Sequence, residues 1–299
     1  MKDYLPSPCG IVDAVLDTDA YNEIDDQFAI AYACRASERI NLCALYAAPF
    51  HNERSDSFGD GMERSYLEIK KILELVGGDA PDIPVYRGSL RPLADEHTAE
   101  RSQAAEDLVC RAAAYSKDAP LYVVAIGAIT NIANAILLDP TITERIVVVW
   151  LGANGHHWPH NHEFNLSGDI AAARVVMASG VRFVSLPCVG VVSAFTTSEP
   201  ELRYWLSGKS ALCDYLVENT VEAAEKYAKG RPWTRVIWDV CALAWLVGGE
   251  SLVRSDLRPL RLPTYEHGYS DEIEGKYIRY VYEIKRDALM QDLIEKLVR

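Results

Sequence analysis

The sequence predicts an α/β fold in which a mostly parallel central sheet carries helices on both faces. Strand-like apolar runs and amphipathic helical patterns alternate up to about residue 186. The strand-like runs are continuously apolar rather than alternating with polar residues, which is typical of parallel strands covered on both faces. The chain has 299 residues and is 49% hydrophobic, so it can bury a sizeable core.

The alternating elements follow one another at the short intervals of a repeated strand–helix unit. An apolar run at 11–17 predicts the first strand, and apolar residues at helical spacing predict a helix over 25–36. A Pro after Asp139 and a Gly at 180 mark the ends of two later helices. The later elements of this part are strands at 40–47, 83–86, 121–126, 146–151 and 181–186, and helices at 61–76, 102–115, 130–138 and 169–179.

The pattern changes after about Ser198, where a C-terminal helical segment begins. Helices are predicted at 198–206, 210–229 and 236–247. Two strands at 252–262 and 276–284 are expected to pair at the edge of the sheet, and a helix at 287–298 ends the chain. No repeat or linker interrupts the pattern, so we expect a single domain over 1–299, with the helical segment folded over the strand ends.

Composition excludes several classes of partner. The net charge is −13 and the pI is about 5.0, which argues against nucleic acid or an anionic membrane as a partner. The seven cysteines include no CxxC pair and are expected to be free thiols in a reducing compartment. The first ten residues are too short and polar for a signal peptide, and no apolar run reaches membrane-spanning length. We therefore expect a cytoplasmic protein.

An acidic turn follows the first predicted strand. Asp17, Asp19, Asp25 and Asp26 fall within ten residues, at the carboxyl end of that strand. Ligands of parallel sheets bind at this end. Carboxylates placed so closely repel one another unless a cation lies among them, and a hard cation such as calcium prefers oxygen ligands. The alternative is a helix-capping Asp in a solvated acidic turn.

Two further stretches lie where a site at the strand ends would need them. The turn at 127–131 follows a buried strand and exposes carbonyls that suit calcium, although an ordinary turn capped by Thr130 is the alternative. In an extended segment Asn161, Glu163 and Asn165 would point the same way. Such a row of amides and a carboxylate suits sugar hydroxyls. A polar surface loop is the alternative for this second stretch.

A histidine-rich loop and a late aspartate complete the candidates. His156, His157, His160 and His162 lie within seven residues, but their spacing matches no standard zinc pattern. An aromatic loop that covers a pocket is therefore favoured over a zinc site. Asp239 opens an apolar helix, where it serves either the site or the helix N-terminus.

Taken in this order, the motifs resemble the inosine–uridine preferring nucleoside hydrolases. The resemblance extends from Ile11 to about Val247 and implies a Rossmann-like nucleoside hydrolase fold. The matching motifs are Val15-Leu16-Asp17-Thr18-Asp19 with Asp25-Asp26, the strand and turn from Val123 to Asn131, Glu163-Phe164-Asn165, and Asp239.

The resemblance implies a calcium-dependent hydrolase of ribonucleosides. Asp19, Asp26, Asp239 and the carbonyl of Thr130 would hold Ca²⁺, and the ion would also hold a water. Calcium is a weak Lewis acid, so the water needs a carboxylate base, for which Asp19 is the candidate. Asp17 would support the turn and reach towards the metal. Attack by the water on the anomeric carbon would invert its configuration.

The sugar and the assembly follow from the same resemblance. Asp25, Glu163 and Asn165 would bind the ribose hydroxyls, with Asn161 beside them. The substrate would be a small-molecule nucleoside or glycoside. A homodimer or homotetramer is expected by analogy with the family.

The sequence departs from the family on the leaving-group side. The acidic turn has five residues at 20–24 where the family has three, which is expected to bring Asn22 or Glu23 into the pocket. The family's asparagine after the second strand has no direct equivalent in 47–52. Trp238 stands where the family often has a histidine before the late aspartate.

These departures leave the proton donor and the exact reaction open. Trp238 can stack on a flat leaving group but cannot deliver a proton. The candidate acids are therefore the loop histidines 156, 157, 160 and 162, of which His157 and His160 are taken as the site residues. Besides nucleoside hydrolysis, the alternatives are a hydrolase of another pentosyl or glycosyl compound and a non-enzymatic calcium-dependent sugar-binding protein. The base at Asp19 argues against the last of these.

Overall fold

The computed structural model describes residues 5–79 and 82–299 of the chain. Residues 1–4 lie outside the described residues. They belong to the ten-residue segment that we interpreted as too short and polar for a signal peptide. The described strands are β1 (Val12–Thr18), β2 (Ile40–Ala47), β3 (Val85–Arg87), β4 (Leu121–Ala125), β5 (Ile146–Leu151), β6 (Arg182–Leu186), β7 (Thr196–Thr197), β8 (Arg235–Val236), β9 (Val253–Leu260) and β10 (Ile273–Ile284).

Helices connect these strands and follow them. The described α-helices are α1 (Asp26–Arg35), α2 (Phe58–Val76), α3 (Gln103–Ala112), α4 (Thr130–Leu138), α5 (Phe164–Gly168), α6 (Ile170–Ala178), α7 (Glu199–Leu206), α8 (Ala211–Ala228), α9 (Val240–Val247) and α10 (Arg286–Leu297). Within the parts of the chain just given, no helix is both long enough and apolar enough to cross a bilayer.

Eight of the strands form one sheet in the order β3-β2-β1-β4-β5-β6-β10-β9. All neighbours are parallel except β9, which pairs antiparallel with β10 at the edge. The predicted mostly parallel sheet and its edge pair are therefore confirmed.

Both faces of the sheet are covered, as the continuous apolar strands predict. Val15 and Leu16 are neighbours in β1 but belong to two different clusters of the core. One cluster contains Phe28 of α1, and the other contains Ile132 of α4. Because side chains alternate along a strand, each strand of this eight-stranded sheet contributes to both clusters.

The register of the sheet aligns the strand ends that form the site. Asp17 of β1 lies beside Tyr46 of β2 on one side and Ala125 of β4 on the other. Ala125 in turn lies beside Trp150 of β5. The turns that follow these strands therefore meet at one edge of the sheet.

The structure differs from the predicted elements mainly in where two helices begin and in short elements that were not predicted. The predicted helix 236–247 begins only at Val240, because the preceding residues pair as β8 with β7. The helix α5 was not predicted at all. The helix α2 begins earlier than predicted, at Phe58, because Ser57 caps it by accepting the backbone N–H of Asp60 at 3.1 Å.

Candidate active site

A cavity of about 180 Å³ lies at the carboxyl ends of β1, β4 and β5. Its walls come from six places in the chain: the acidic turn, the end of β4, the end of β5, the start of α5, the turn after β6 and the segment before α9. The lining residues are Asp19, Asn22, Glu23, Asp25, Asp26, Ile126, Leu151, Glu163, Phe164, Asn165, Cys188, Trp238 and Asp239.

Three buried aspartates form an acidic cluster in this cavity. Carboxylate oxygens of Asp25, Asp26 and Asp239 all lie within 4.8 Å of one another. Asp26 is the first residue of α1, and Asp239 directly precedes α9, so two helix N-termini meet here. The partial positive charge of these helix ends favours negative groups but is too small to neutralise three carboxylates.

Hydrogen bonds fix two of these aspartates. The Thr18 hydroxyl donates to Asp26 Oδ1 at 2.5 Å, and the backbone N–H of Trp238 donates to Asp25 Oδ2 at 2.8 Å. The second contact ties the acidic turn to the segment before α9. Each carboxylate keeps one oxygen for a ligand, because neither bond uses both.

The electrostatics of the cluster disfavour three bare negative charges. Burial, together with the charge of the nearby Asp25, raises the pKa of Asp26 to about 8. Burial and the charge of Glu23, opposed by Arg235, raise the pKa of Asp25 to about 6. Burial and the neighbouring carboxylates hold the pKa of Asp239 well above its usual range.

Asp19 lies beside the cluster and lacks a partner for one oxygen. Its Oδ2 is buried without a hydrogen bond to any described residue, and burial followed by the charge of Asp26 raises its pKa well above the usual range. A Cβ added to Gly127 would lie 2.9 Å from Asp19 Oδ1, so only glycine fits in the turn after β4. This close approach places the turn against Asp19.

Asp17 and Thr130 support the cavity from behind and do not line it. Asp17 Oδ1 accepts from Asn131 Nδ2 at 2.7 Å, and its buried Oδ2 has no partner among the described residues. Burial raises the pKa of Asp17 to about 7, and the Asn131 bond opposes the rise. Thr130 begins α4, and its hydroxyl donates to Asp169 at 2.8 Å.

Glu163 and Asn165 are held firmly on the opposite wall. The Glu163 carboxylate accepts the backbone N–H groups of Asn165 and Leu166, both at 2.9 Å, and so caps the start of α5. Asn165 Nδ2 donates to the carbonyls of Ile126 at 3.1 Å and Leu151 at 3.0 Å, which joins the ends of β4 and β5. With both amide hydrogens engaged, Asn165 can only accept through Oδ1.

The arrangement suits a cation and a polyhydroxylated ligand. Asp19 has a buried oxygen without a partner, and the raised pKa values show that bare charges in the cluster are unfavourable, which a bound hard cation would relieve. The carboxylate and amide oxygens of Glu163 and Asn165 can accept from hydroxyl groups of a ligand.

Comparison with known proteins identifies the family. The family model described as inosine-uridine preferring nucleoside hydrolase matches residues 14–279. The chain belongs to this family. It is therefore an N-glycosyl hydrolase, as the sequence motifs predict.

Sequence relatives in the family are distant but cover most of the chain. The pyrimidine-specific ribonucleoside hydrolase RihA of Citrobacter koseri is 24% identical over 280 residues, which span 85% of this chain and 82% of the relative. The same-named enzyme of Escherichia coli O81 is 25% identical over the same shares of the two chains.

Solved structures of nucleoside hydrolases share the fold. A plant nucleoside hydrolase, PpNRh1, superposes with a TM-score of 0.74 at 17% identity and covers 96% of this chain and 99% of its own. A purine-preferring ribonucleoside hydrolase from Gardnerella vaginalis gives a TM-score of 0.73 at 18% identity and covers 96% and 98%. At these identities the likeness shows the fold alone.

Most, but not all, of the residues predicted for the site meet in the cavity. Asn161 does not: its side chain is fully buried, and its Oδ1 accepts the backbone N–H of Asn154 at 2.6 Å. The predicted alternation along 161–165 does not hold because α5 begins at Phe164, so that the segment is not extended throughout. Glu163 and Asn165 nevertheless both reach the cavity.

The loop histidines also lie outside the cavity lining. His157 is exposed and lines a separate cavity with Arg258 and Arg261. His160 is exposed, and its Nδ1 accepts the backbone N–H of His162 at 3.3 Å.

Several residues at the cavity were not singled out from the sequence. Phe164 and Cys188 line it, and Arg235 forms an ion pair with Glu23 beside it. Asn52 donates to Asn22 from behind the acidic turn. Two of them carried a usable signal, because Phe164 stands inside the Glu163-Phe164-Asn165 motif and Asn52 follows the second strand.

Proposed function

We propose that this family member hydrolyses the N-glycosidic bond of ribonucleosides with Ca²⁺ as its cofactor, water as the nucleophile and inversion at the anomeric carbon. The observation that carries the proposal is the meeting of the acidic cluster, Asp19 and the Glu163–Asn165 wall in one cavity. A cation-binding side and a hydroxyl-binding side are then within reach of one small ligand.

The proposed calcium ligands are Asp19, Asp26, Asp239 and the carbonyl of Thr130. Asp25 shares the cluster with two of them and has one oxygen free for either the ion or a sugar hydroxyl. When bound, the ion supplies positive charge that offsets the buried carboxylates and makes a neighbouring water easier to ionise.

Asp19 is the proposed general base. Its buried oxygen without a hydrogen-bond partner is available to accept a proton from a water beside the ion. Asp17 supports Asp19 from behind in this proposal.

The proposed sugar ligands are Asp25, Glu163 and Asn165, together with Asn22. Asn22 belongs to residues 20–24 of the acidic turn, which we call the inserted turn. All except Asn22 act as acceptors for sugar hydroxyls. The transition state of such a hydrolysis resembles an oxocarbenium ion and carries positive charge at the anomeric carbon. The negative groups that line the cavity stabilise that charge more than they stabilise the neutral substrate.

The leaving group is proposed to lie against Trp238 and Phe164, which give the cavity an aromatic rim. Protonation by His157 or His160 requires the loop to close, because both histidines lie outside the cavity lining. Because Trp238 stands at this rim where the family often has a histidine, a second candidate function is the hydrolysis of another pentosyl or glycosyl compound. Asn161 acts in this proposal through the loop rather than by direct contact.

An activity screen tests the proposed function. Protein stripped with EDTA and reloaded with Ca²⁺ is offered purine and pyrimidine ribonucleosides and p-nitrophenyl glycosides. Release of free base from a ribonucleoside, lost in EDTA and restored by Ca²⁺, supports the proposal. Cleavage of aryl glycosides of another sugar, without any ribonucleoside cleavage, favours the second candidate.

The domain, the assembly and the cellular location of the protein form a further part of the proposal. We propose a single domain over 1–299, a homodimer or homotetramer in solution, and a location in the cytoplasm. Light scattering on the purified protein measures the assembly, and fractionation of the native cells locates it.

A further inference from the structure

The inserted turn 20–24 is a fixed wall of the cavity. Arg54 Nη1 donates to the carbonyl of Glu23 at 3.2 Å, and Arg235 forms an ion pair with the Glu23 carboxylate. The turn is thus held from two other segments of the chain. The placement of Asn22 at its centre is therefore a property of the fold.

Asn52 fixes the orientation of the Asn22 amide. The backbone N–H of Arg54 donates to Asn52 Oδ1 at 2.8 Å, so Asn52 must turn its Nδ2 the other way. That Nδ2 donates to Asn22 Oδ1 at 2.6 Å. Asn22 must then direct its own Nδ2 away from Asn52.

The Nδ2 of Asn22 has no acceptor among the described residues, although Asn22 is only 9% exposed and lines the cavity. Donors are scarce around it, because the nearby lining residues of the acidic turn are carboxylates. Asn165 adds only an acceptor, since carbonyls engage both of its amide hydrogens. A sugar hydroxyl in this cavity finds acceptors for its hydrogen but few donors for its oxygen.

We infer that Asn22 donates through Nδ2 to one hydroxyl oxygen of the sugar, and that Asn52 is a positioning residue that holds the amide in this donating orientation. The inference rests on the proposed function, because the sugar is the ribose of the nucleoside. A donor that the bound sugar covers without pairing it is unfavourable, so the site discriminates against a sugar that lacks the matching oxygen.

The variant Asn52→Asp reverses the amide. It keeps an acceptor for the N–H of Arg54 and nearly the same volume, but an oxygen replaces the donor to Asn22. Asn22 then gives Nδ2 to the new carboxylate and presents Oδ1 to the cavity. We expect KM for a ribonucleoside to rise about tenfold, with a smaller change in kcat and with Ca²⁺ binding retained.

A second variant and a control separate the loss of the Asn22 donor from the effect of an added negative charge. Asn22→Asp retains the acceptor for Asn52 but removes the donor from the cavity, so KM rises at least as much. Gln103→Glu adds the same charge at an exposed position at the start of α3 and keeps the oxygen that accepts the backbone N–H of Arg87, so KM does not change.

Deoxy substrates separate positioning from general damage. KM is measured for the ribonucleoside and its 2′-, 3′- and 5′-deoxy derivatives in the parent and in both variants. The effect of each variant disappears for the one derivative that lacks the contacted oxygen. No rise in KM, or an equal rise for all four compounds, overturns the inference while leaving the proposed function intact.

If the parent releases no base from any ribonucleoside, the proposed function itself fails. Binding of D-ribose to the Ca²⁺-loaded parent and variants, measured by calorimetry, then decides the inference. Weaker binding in both variants than in Gln103→Glu supports it, and equal binding overturns it.

Discussion

Replacing Asp26 by Asn is expected to stabilise the metal-free protein while abolishing its activity. Asp26 is buried with a pKa of about 8, whereas an aspartate in the unfolded chain has a pKa of about 3.9. At pH 7 the unfolded carboxyl is ionised, about 3 pH units above its pKa, whereas the folded one is protonated. Protonating it on folding therefore costs about 4 kcal/mol. Asn has nearly the same shape and does not carry this penalty.

The hydrogen bonds of the site allow the replacement. The amide oxygen can still accept from the Thr18 hydroxyl, and the new NH₂ faces the carboxylates of Asp25 and Asp239. We expect the melting temperature in EDTA to rise by about 5 °C or more. The variant should bind no Ca²⁺ in calorimetry and should release no base from a ribonucleoside.

Differential scanning calorimetry with and without Ca²⁺ measures both effects. The parent is stabilised by saturating Ca²⁺, by about 2.7 kcal/mol at a hundred times Kd, whereas Asp26→Asn is not. Asp118→Asn removes an exposed charge and serves as the control, with no change in either condition. A lower melting temperature for Asp26→Asn in EDTA would mean that the buried Asp26 carboxyl does not destabilise the metal-free protein.

The remaining predictions concern pH, the sugar and the leaving group. Because native Asp17 and Asp26 hold their protons to about pH 7 and 8, and unfolded carboxyls lose theirs near pH 4, the free energy of unfolding in EDTA falls as pH rises between these values. Urea titrations should show a shallower fall in Asp26→Asn, and equal slopes contradict the assignment. Glu163→Gln leaves an N–H at the start of α5 without its charged acceptor, so KM should rise about tenfold with Ca²⁺ affinity unchanged, and unaltered kinetics exclude a role in sugar binding. His157→Ala or His160→Ala should slow a natural nucleoside roughly 100-fold and spare p-nitrophenyl riboside, and full activity in both variants excludes these two histidines as the source of the acid.

The central elements were predictable because burial and local sequence agree there. The strand at 146–151 and the helix at 130–138 match β5 and α4 to the residue, since continuous apolar runs end at clear polar boundaries. The five-residue helix α5 and the two-residue strands β7 and β8 were not predictable. Elements this short depend on contacts from distant segments, such as the pairing of Thr196 with Val236.

The residues of the candidate site also divide into those fixed by local sequence and those fixed by distant contacts. Asp19, Asp25 and Asp26 could be placed from the sequence because a strand and a helix start fix them on either side of one turn. Asp239 needed the family motif, since nothing local distinguishes it from a helix-capping residue. The position of Asn161 was not predictable from alternation, because the loop folds back and buries its side chain.

The orientation of Asn22 lay beyond sequence reasoning for a different reason. The inserted turn was visible, but its conformation depends on Arg54, Arg235 and Asn52, which are distant in sequence. These contacts exist only in the folded chain.

The most direct test of the account is the rate of base release from a ribonucleoside by EDTA-treated protein as Ca²⁺ is added back. Calcium-dependent nucleoside hydrolysis predicts no release before addition and a saturable rise that reaches its maximum at one ion per chain. Full activity in protein that retains no metal, or no activity at any Ca²⁺ concentration with any ribonucleoside, would contradict it.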